Sequence, residues 1–329
     1  MKFGIEFVPT TSVDGLVSSI VQAENAGFDY VWVTDHYNNR CVYIALAIAA
    51  LNTKRIRLGP GVTNPFHIHP AWTASAMATL NEVSNGRAVL GLGPGDRSTL
   101  GQLGISLDKP LTAVREAVEI IRKLWAGEVV IFGGDVFNIA NAKLSFKPST
   151  PIPIYIGAQG PKMLELAGAV GDGVLINASH PKDFEYAIKY IRDGVQKAGK
   201  RMESVDVVAY AALSVDEDPV KARDAAKVVV AFIIAGSPDS ILERHGITKE
   251  ETEIIRSSLA KGDIPKAGKA VSDKALEAFS VSGTPEECIS RIEQLMKMGV
   301  TQFVAGSPLG PKKKAAIDII GKKIIPAFR

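Results

Sequence analysis

The sequence predicts a single (β/α)8 barrel, a TIM barrel with insertions, and three observations carry that expectation. Eight short apolar or β-branched runs recur along the chain, most followed by a stretch with apolar residues at three-and-four spacing. The 329 residues are 46% hydrophobic, enough to bury one large α/β core. Glycines and polar side chains cluster just after the strand-like runs, the end at which such barrels keep their sites.

Taken in order, the expected strands are 2–8 (KFGIEFV), 30–34 (YVWVT), 56–64 (IRLGPGVTN) and 88–93 (AVLGLG), then 153–157 (PIYIG), 173–177 (GVLIN), 205–213 (VDVVAYAAL) and 301–305 (TQFVA). The helical stretches between them show sets such as Leu16, Ile20, Ala23 and Ala26, or Val114, Val118, Ile121 and Leu124. Many open on Asp, Ser, Thr or Pro, the residues that start helices. Two stretches exceed the alternation. Residues 127–151 read as an insertion with a hairpin after the fourth helix, and residues 218–283 as extra helices between strands seven and eight. With no internal repeat and no low-complexity linker, residues 1–329 are expected to form one domain. A Rossmann sheet would need a G-x-G-x-x-G turn after its first strand; here that strand runs into VPTTSVDG.

Composition narrows the function classes. A net charge of +3, from 38 basic and 35 acidic side chains, leaves no footprint for nucleic acid or a membrane surface. Lys312, Lys313 and Lys314 read as a solvated first turn of the last helix. Two distant cysteines, Cys41 and Cys288, offer no disulfide framework and no thiolate zinc site. The first residues lack the features of a signal peptide, and the apolar runs fall short of the roughly 18 residues of a membrane span, so a cytoplasmic protein is expected.

The chemistry should sit at the C-terminal ends of the strands. In strand one Phe3, Ile5 and Phe7 alternate with Gly4, Glu6 and Val8; if the aromatic set packs on helices, Glu6 points inward, as a functional carboxylate or as half of a structural ion pair. Strand two ends in TDHYNN, and alternation groups Val31, Val33 and Asp35 at the rim, where Asp35 or Asn38 can equally cap a helix. Strand three reads LGPGVTNP; Pro60 between glycines predicts a bulge, serving either a ligand ring or a bare barrel kink. Strand four ends Gly93-Pro94-Gly95-Asp96, with small residues that let a ligand approach and a third carboxylate. Strand five ends in Ala158, Gln159, Gly160, Pro161, Lys162 and Met163 at a helix start suited to a phosphate. Strands six and eight end in Asn177-Ala178-Ser179-His180-Pro181 and Ala305-Gly306-Ser307-Pro308, two further polar rims.

Metal and nucleophile chemistry is not expected. The five histidines show no HxxxH spacing, and His67 and His69, although able to share one face, have no acidic neighbour in sequence. There is no G-x-S-x-G elbow and no cysteine beside a clear base.

Taken together, MKFGIEFVP, TDHYNN, LGPGVTNPF, GLGPGD, IYIGAQGPKM, LINASHPKDF and VAGSPLGP carry a specific resemblance over essentially the whole chain. The chain resembles the coenzyme F420-dependent methylenetetrahydromethanopterin reductases of the bacterial luciferase-like superfamily. More weakly, it is similar to F420-dependent alcohol and glucose-6-phosphate dehydrogenases and to FMN-dependent monooxygenases.

The resemblance implies a barrel that binds F420, a deazaflavin with a phosphate-bearing tail. It implies a non-prolyl cis peptide in the strand-three bulge behind the ring, matching Gly61–Val62 with Thr63 after it. It places Asp35 and His36 near the deazaflavin, together with Gly93, Pro94 and Gly95, sends the phosphate and tail to Ala158–Met163, and adds Asn177 to the cofactor set. At Asp96 the sugar-phosphate relatives carry Glu, so the role of that position does not transfer. The implied reaction is reversible hydride transfer from reduced F420 to methylenetetrahydromethanopterin (or its sarcinapterin analogue), a step of methanogenesis from CO2. It requires two flat molecules with reacting carbons about 3–3.5 Å apart and an acid that protonates a substrate ring nitrogen. Glu6 is expected as the acid and Asp96 as the stabiliser of the resulting cation, with the reverse assignment open. The alternatives are a secondary alcohol dehydrogenase, an FMN monooxygenase and a cofactor-storing barrel. A homodimer or homotetramer is expected from the family.

Overall fold

The computed structural model describes residues 1–329. Its strands are β1 (Lys2–Phe7), β2 (Tyr30–Val33), β3 (Arg57–Pro60), β4 (Leu90–Leu92), β5 (Val130–Gly133) and β6 (Asn138–Ala142), then β7 (Ile154–Gly157), β8 (Gly173–Ile176), β9 (Asp206–Val215), β10 (Val281–Gly283) and β11 (Gln302–Leu309). Each of the eight expected strands is present, and the fold is the expected (β/α)8 barrel.

The chain divides into two compact units. The larger comprises Lys2–Ile176 and Ala187–Val208. Here β1, β2 and β3 lie side by side in parallel, as do β4, β7 and β8. Bridges Leu58↔Ala88 and Thr63↔Leu92 join the two sets, so six parallel neighbours run through this unit. The expected hairpin insertion is β5–β6, antiparallel, following the helix Pro110–Ala126. A short helix, Arg97–Gln102, which the apolar pattern does not announce, precedes that one.

The N-terminal ends of these strands form a floor in which charged groups are fully engaged. Arg87 donates five hydrogen bonds, to Ser84 O, Thr53 Oγ1, Ile56 O, Ala50 O and Thr53 O, and so closes the carboxyl ends of two helices. Buried Glu24 accepts from the amides of Lys54, Arg55 and Ile56. Burial raises its carboxyl, but those amides outweigh it and hold it below the ordinary value. Tyr155 Oη and Lys2 Nζ each reach Asp206 Oδ2 at 2.6 Å. Above that pair lies an aromatic layer in which Tyr30 stacks on Trp32 and Tyr155 meets both edge-on.

The smaller unit holds Asn177–Tyr186 and Ala209–Arg329. Most of β9 lies in it, with β10 paired in parallel to β9 and β11 beside β9. The helices expected over 218–283 are Pro219–Gly236, Asp239–Arg244, Lys249–Ala260, Ile264–Lys269 and Asp273–Phe279. They bury their own core around Val230, Ile234, Leu242, Ile255, Leu276 and Phe279. β11 runs past the expected end, so Ser307 and Pro308, read from sequence as rim, belong to the strand, and the bond between them is cis. Lys313 and Lys314 open the helix Lys313–Ile319 and are exposed, as expected. No helix is long and apolar enough to cross a membrane.

Candidate functional site

The inward face of the larger unit follows from register. Glu6 lies opposite Trp32, and residues paired in register share a face. The Trp32 ring meets Tyr155 of β7 at 5.3 Å, although β2 and β7 are not sheet neighbours, so this contact crosses the interior. Glu6 therefore points inward, half-buried, while Phe3, Ile5 and Phe7 are buried on the helix side, as the alternation predicts. On β2 the inward residues are Tyr30 and Trp32, followed by Thr34. Val31 and Val33 face the helices, which sets them on the side away from Glu6.

At the end of β3 the chain bulges. Five residue steps separate the bridged Leu58 and Thr63, against four between Ala88 and Leu92 on the other side, so one extra residue is accommodated. The Gly61–Val62 peptide in this bulge is cis, as the resemblance implies. The glycines around it have a definite use. A Cβ on Gly59 would lie 1.7 Å from Val89 O, and one on Gly93 2.8 Å from Val62 Cγ2. The expectation that Gly93 clears space for a ligand is thus refined: that space is filled by the Val62 side chain, which rests on Gly93 and Gly157. Gly95 has φ +85° and a Cβ there would crowd Leu100 and Asn64, so it shapes the turn into the next helix.

Behind the bulge sits a polar cluster that sequence reading missed. Asp35 Oδ2 pairs with His67 Nε2 at 3.1 Å. Asn64 Oδ1 accepts the amides of Phe66 and His67, folding the loop that brings this histidine back to Asp35. The absence of an acidic neighbour in sequence was no guide, because the partner is 32 residues away. No group of three or more His, Cys, Asp or Glu side chains that could hold a metal ion forms. Thr63 turns outward toward Tyr43; the two hydroxyls interact without reaching good hydrogen-bond geometry, and burial pushes the Tyr43 hydroxyl up to about 12.

Asp96 is the N-cap of the helix Arg97–Gln102, accepting from the amides of Ser98 (3.3 Å) and Thr99 (2.7 Å) and from the Thr99 hydroxyl. Burial pushes its carboxyl up, but the Thr99 hydroxyl and the two amides outweigh this, helped by nearby His36, and hold it below the ordinary carboxylate value. It is therefore anionic at neutral pH. His36 and Pro94 are half-buried at the same rim.

In the β7 loop, Ala158 is buried and its amide bonds Leu175 O, while Gln159, Gly160, Pro161 and Lys162 are exposed and Met163 half-buried. Gly160 caps the helix Pro161–Val170 without a side chain, which leaves that helix start open for an anion. Asn177, in the smaller unit, is exposed just past β8.

Three inward or rim side chains bury a polar atom with no hydrogen-bond partner: Trp32 (Nε1), Thr34 (Oγ1) and His67 (Nδ1). Burial without a partner costs about 1–3 kcal/mol for each group, so such atoms collect where something else governs the sequence. The only signal in the sequence was polarity straight after an apolar run.

Comparison with known proteins identifies the family. The family model described as luciferase-like monooxygenase matches residues 1–302. A 5,10-methylenetetrahydromethanopterin reductase from Archaeoglobus fulgidus is 57% identical over 333 residues, covering 100% of both chains. The structure of the coenzyme F420-dependent tetrahydromethanopterin reductase from Methanopyrus kandleri superposes with a TM-score of 0.96 at 43% identity, covering 100% of this chain and 99% of that one. An F420-dependent secondary alcohol dehydrogenase, in complex with an F420-acetone adduct, follows with a TM-score of 0.83 and 25% identity over 100% and 99%. The chain belongs to the luciferase-like monooxygenase family, in the branch of the 5,10-methylenetetrahydromethanopterin reductases.

Proposed function

We propose that this chain is a coenzyme F420-dependent reductase that converts methylenetetrahydromethanopterin to its methyl form, reversibly, as a step of methanogenesis from CO2. The observation that carries the reading is the placement of Glu6: a half-buried carboxylate on the inward face, among the same strand ends as the Gly61–Val62 bulge. Full-length similarity to reductases of that name supports it.

The residues fit a flat ring with an anionic tail. The bulge seats Val62 on Gly93 and Gly157 as a platform, Asp35 and His36 follow the neighbouring strand β2, and the side-chain-free helix start at Gly160, beside Lys162, offers amides and a positive charge to a phosphate. When bound, reduced F420 supplies the hydride. The protein's part is proximity and a proton. Glu6 protonates a ring nitrogen of the pterin, which opens that ring to a cation able to accept hydride. Asp96, already held ionised by its helix cap, is unsuited to donate a proton and serves as the negative charge that steadies the cation. That depressed carboxyl favours Glu6 over Asp96 as the acid.

Both units are assigned to one catalytic domain, consistent with the single family match over residues 1–302. A homodimer or homotetramer is expected, because the helix Val42–Asn52 carries no charged residue, and Ile44 and Leu51 are 60% and 74% exposed with Trp72 at 73%. A cytoplasmic location fits the absence of any membrane-spanning helix.

The deciding assay is the anaerobic loss of reduced-F420 absorbance on adding methylenetetrahydromethanopterin. Turnover supports the reading. Oxygen consumption with reduced FMN, or reduction of F420 by isopropanol, without pterin turnover, replaces it with a monooxygenase or an alcohol dehydrogenase.

A further inference from the structure

Two of the unpartnered groups at the mouth stand on one strand face, and none of the roles above uses them. Trp32 of β2 and Thr34 just past its end both point inward, and Glu6 lies in register with Trp32 on the adjacent β1. All three belong to the larger unit. Thr34 is fixed between neighbouring strand ends: its amide donates to Phe7 O at 3.1 Å, and the Gly61 amide of the bulge donates to Val33 O at 2.8 Å. Trp32 reaches the point where Val62 sits. A Cβ on Gly91 would lie 3.2 Å from both Trp32 Cζ3 and Val62 Cγ1, so the benzo edge of the indole is turned toward β4. Nε1, across the ring from Cζ3, therefore faces away from β4, and β1 flanks β2 on the side away from β3.

Both groups can donate a hydrogen bond, and the indole N–H can do nothing else. Trp32 is fully buried and Thr34 is 7% exposed, yet Nε1 and Oγ1 have no partner. The other ionisable groups of this face are already engaged: Tyr155 meets the Tyr30 hydroxyl and Asp206, Asp35 pairs with His67, and Asp96 caps its helix. Glu6 differs in that its charge changes during the proposed reaction. When its O–H bond breaks and an N–H bond forms on the pterin ring nitrogen, the bonding pair stays on the carboxyl as an anion. Hydrogen bonds to an ionised acceptor are about twice as strong as those to a neutral one. Donors beside Glu6 therefore favour the state after proton transfer over the state before it. Adjacent strands lie about 4.8 Å apart, a gap that a glutamate side chain crosses by rotation about its own bonds.

We propose that Trp32 and Thr34 are positioning residues for the proton donor: once Glu6 has given its proton to the substrate, Trp32 Nε1–H and Thr34 Oγ1–H receive the carboxylate left behind. The proposal rests on the functional reading above, with Glu6 as the acid. Neither residue gives up a proton, and the carboxylate returns to the acid form by taking one from solvent after product leaves.

The test measures kcat and KM for the pterin, F420 affinity by fluorescence and the thermal midpoint, in the wild type, Thr34→Val, Thr34→Ser and Trp32→Phe, and repeats Thr34→Val in a Glu6→Gln background. Thr34→Val is expected to lower kcat and kcat/KM together by about tenfold, as loss of one hydrogen bond to a charged group does, with KM and F420 affinity within about twofold. Its thermal midpoint should hold or rise, because a methyl replaces an unpaired buried hydroxyl. Thr34→Ser, which keeps the donor, should recover most of the loss, and Trp32→Phe should lower kcat about tenfold. In the Glu6→Gln background Thr34→Val should cost nothing further, since there is no carboxylate left to receive. A folded Thr34→Val variant with unchanged kcat overturns the proposal. So does a loss confined to KM or F420 affinity, and so does a tenfold loss that persists in the Glu6→Gln background, which marks a role independent of Glu6. If Thr34→Val fails to fold, Thr34→Ala is judged by the same measures. A wild type that does not turn over the pterin is a different failure: the functional reading falls, and this assignment with it.

Discussion

The floor and the mouth of the larger unit are built from the same strands yet treat polar groups in opposite ways. At the floor, Arg87 spends five donors on five acceptors, Glu24 takes three consecutive amides, and Asp206 holds both Tyr155 and Lys2. At the mouth, Trp32, Thr34 and His67 each bury a polar atom without a partner. A fully satisfied buried network rigidifies a fold, whereas an unsatisfied one lowers stability. The difference teaches where this sequence is optimised for folding and where for something else. Holding strand geometry is the task of the floor; the mouth, where the chemistry is proposed to lie, leaves polar atoms unpaired at the expense of local stability, the division expected of a barrel whose site lies at the strand C-termini.

Mutation of each end should separate the two. The largest effect is expected for Glu6→Gln, which should cut turnover by about 10²–10⁴-fold, the range of general acid catalysis, while F420 affinity and the thermal midpoint stay near wild type. Unchanged turnover removes Glu6 from the mechanism and blurs the contrast. Next comes Glu24→Ala at the floor. Stranding three amides should cost about 3 kcal/mol and lower the thermal midpoint by several degrees, with kcat per folded molecule unaltered in calorimetry and steady-state kinetics. A kcat loss at constant stability would show that the floor communicates with the chemistry.

Gly93→Ala sharpens the comparison from the mouth side. The new methyl would lie 2.8 Å from Val62 Cγ2 and must push it off its seat. Overpacking of this kind costs about 1–3 kcal/mol, and a displaced platform should weaken F420 binding about tenfold in a fluorescence titration. Full affinity would mean that Val62 is not the platform. The smallest effect concerns Asp96. Its carboxyl is depressed in the folded state, so its contribution is present above the unfolded value of 3.8 and is lost as pH falls through the lower folded value. The stability difference between wild type and Asp96→Ala, about 1 kcal/mol for an N-cap, should therefore be flat from neutral pH to about 5 and shrink only under acid. A difference that vanishes already near pH 6 would contradict the low value and return Asp96 to the list of proton donors.

Much of the geometry of the candidate site was legible in the sequence. Strict alternation in KFGIEFV gave Glu6 its inward direction, because period two leaves no other face once the aromatic set is buried. Pro60 between glycines announced the bulge, since proline withholds a ladder donor and glycine admits the close strands. Alternation also placed Val31 and Val33 on one face, but which face was the interior depended on Trp32 reaching Tyr155 across the barrel. Asp96 looked like a free rim carboxylate, and only the helix that starts after it shows the carboxylate capping amides.

By itself, then, the sequence determined the element order, the hairpin and helical insertions, and the residue types at each strand end. Those features follow from periodicity, turn chemistry and composition within a few neighbouring residues. Tertiary structure alone decided which distant side chains meet: Asp35 with His67, Val62 with Gly93 and Gly157, and Asp183 with His245. Such pairs join residues on different elements, and no local pattern encodes them. They exist because strand closure and helix packing leave one arrangement in which each buried charge finds its partner.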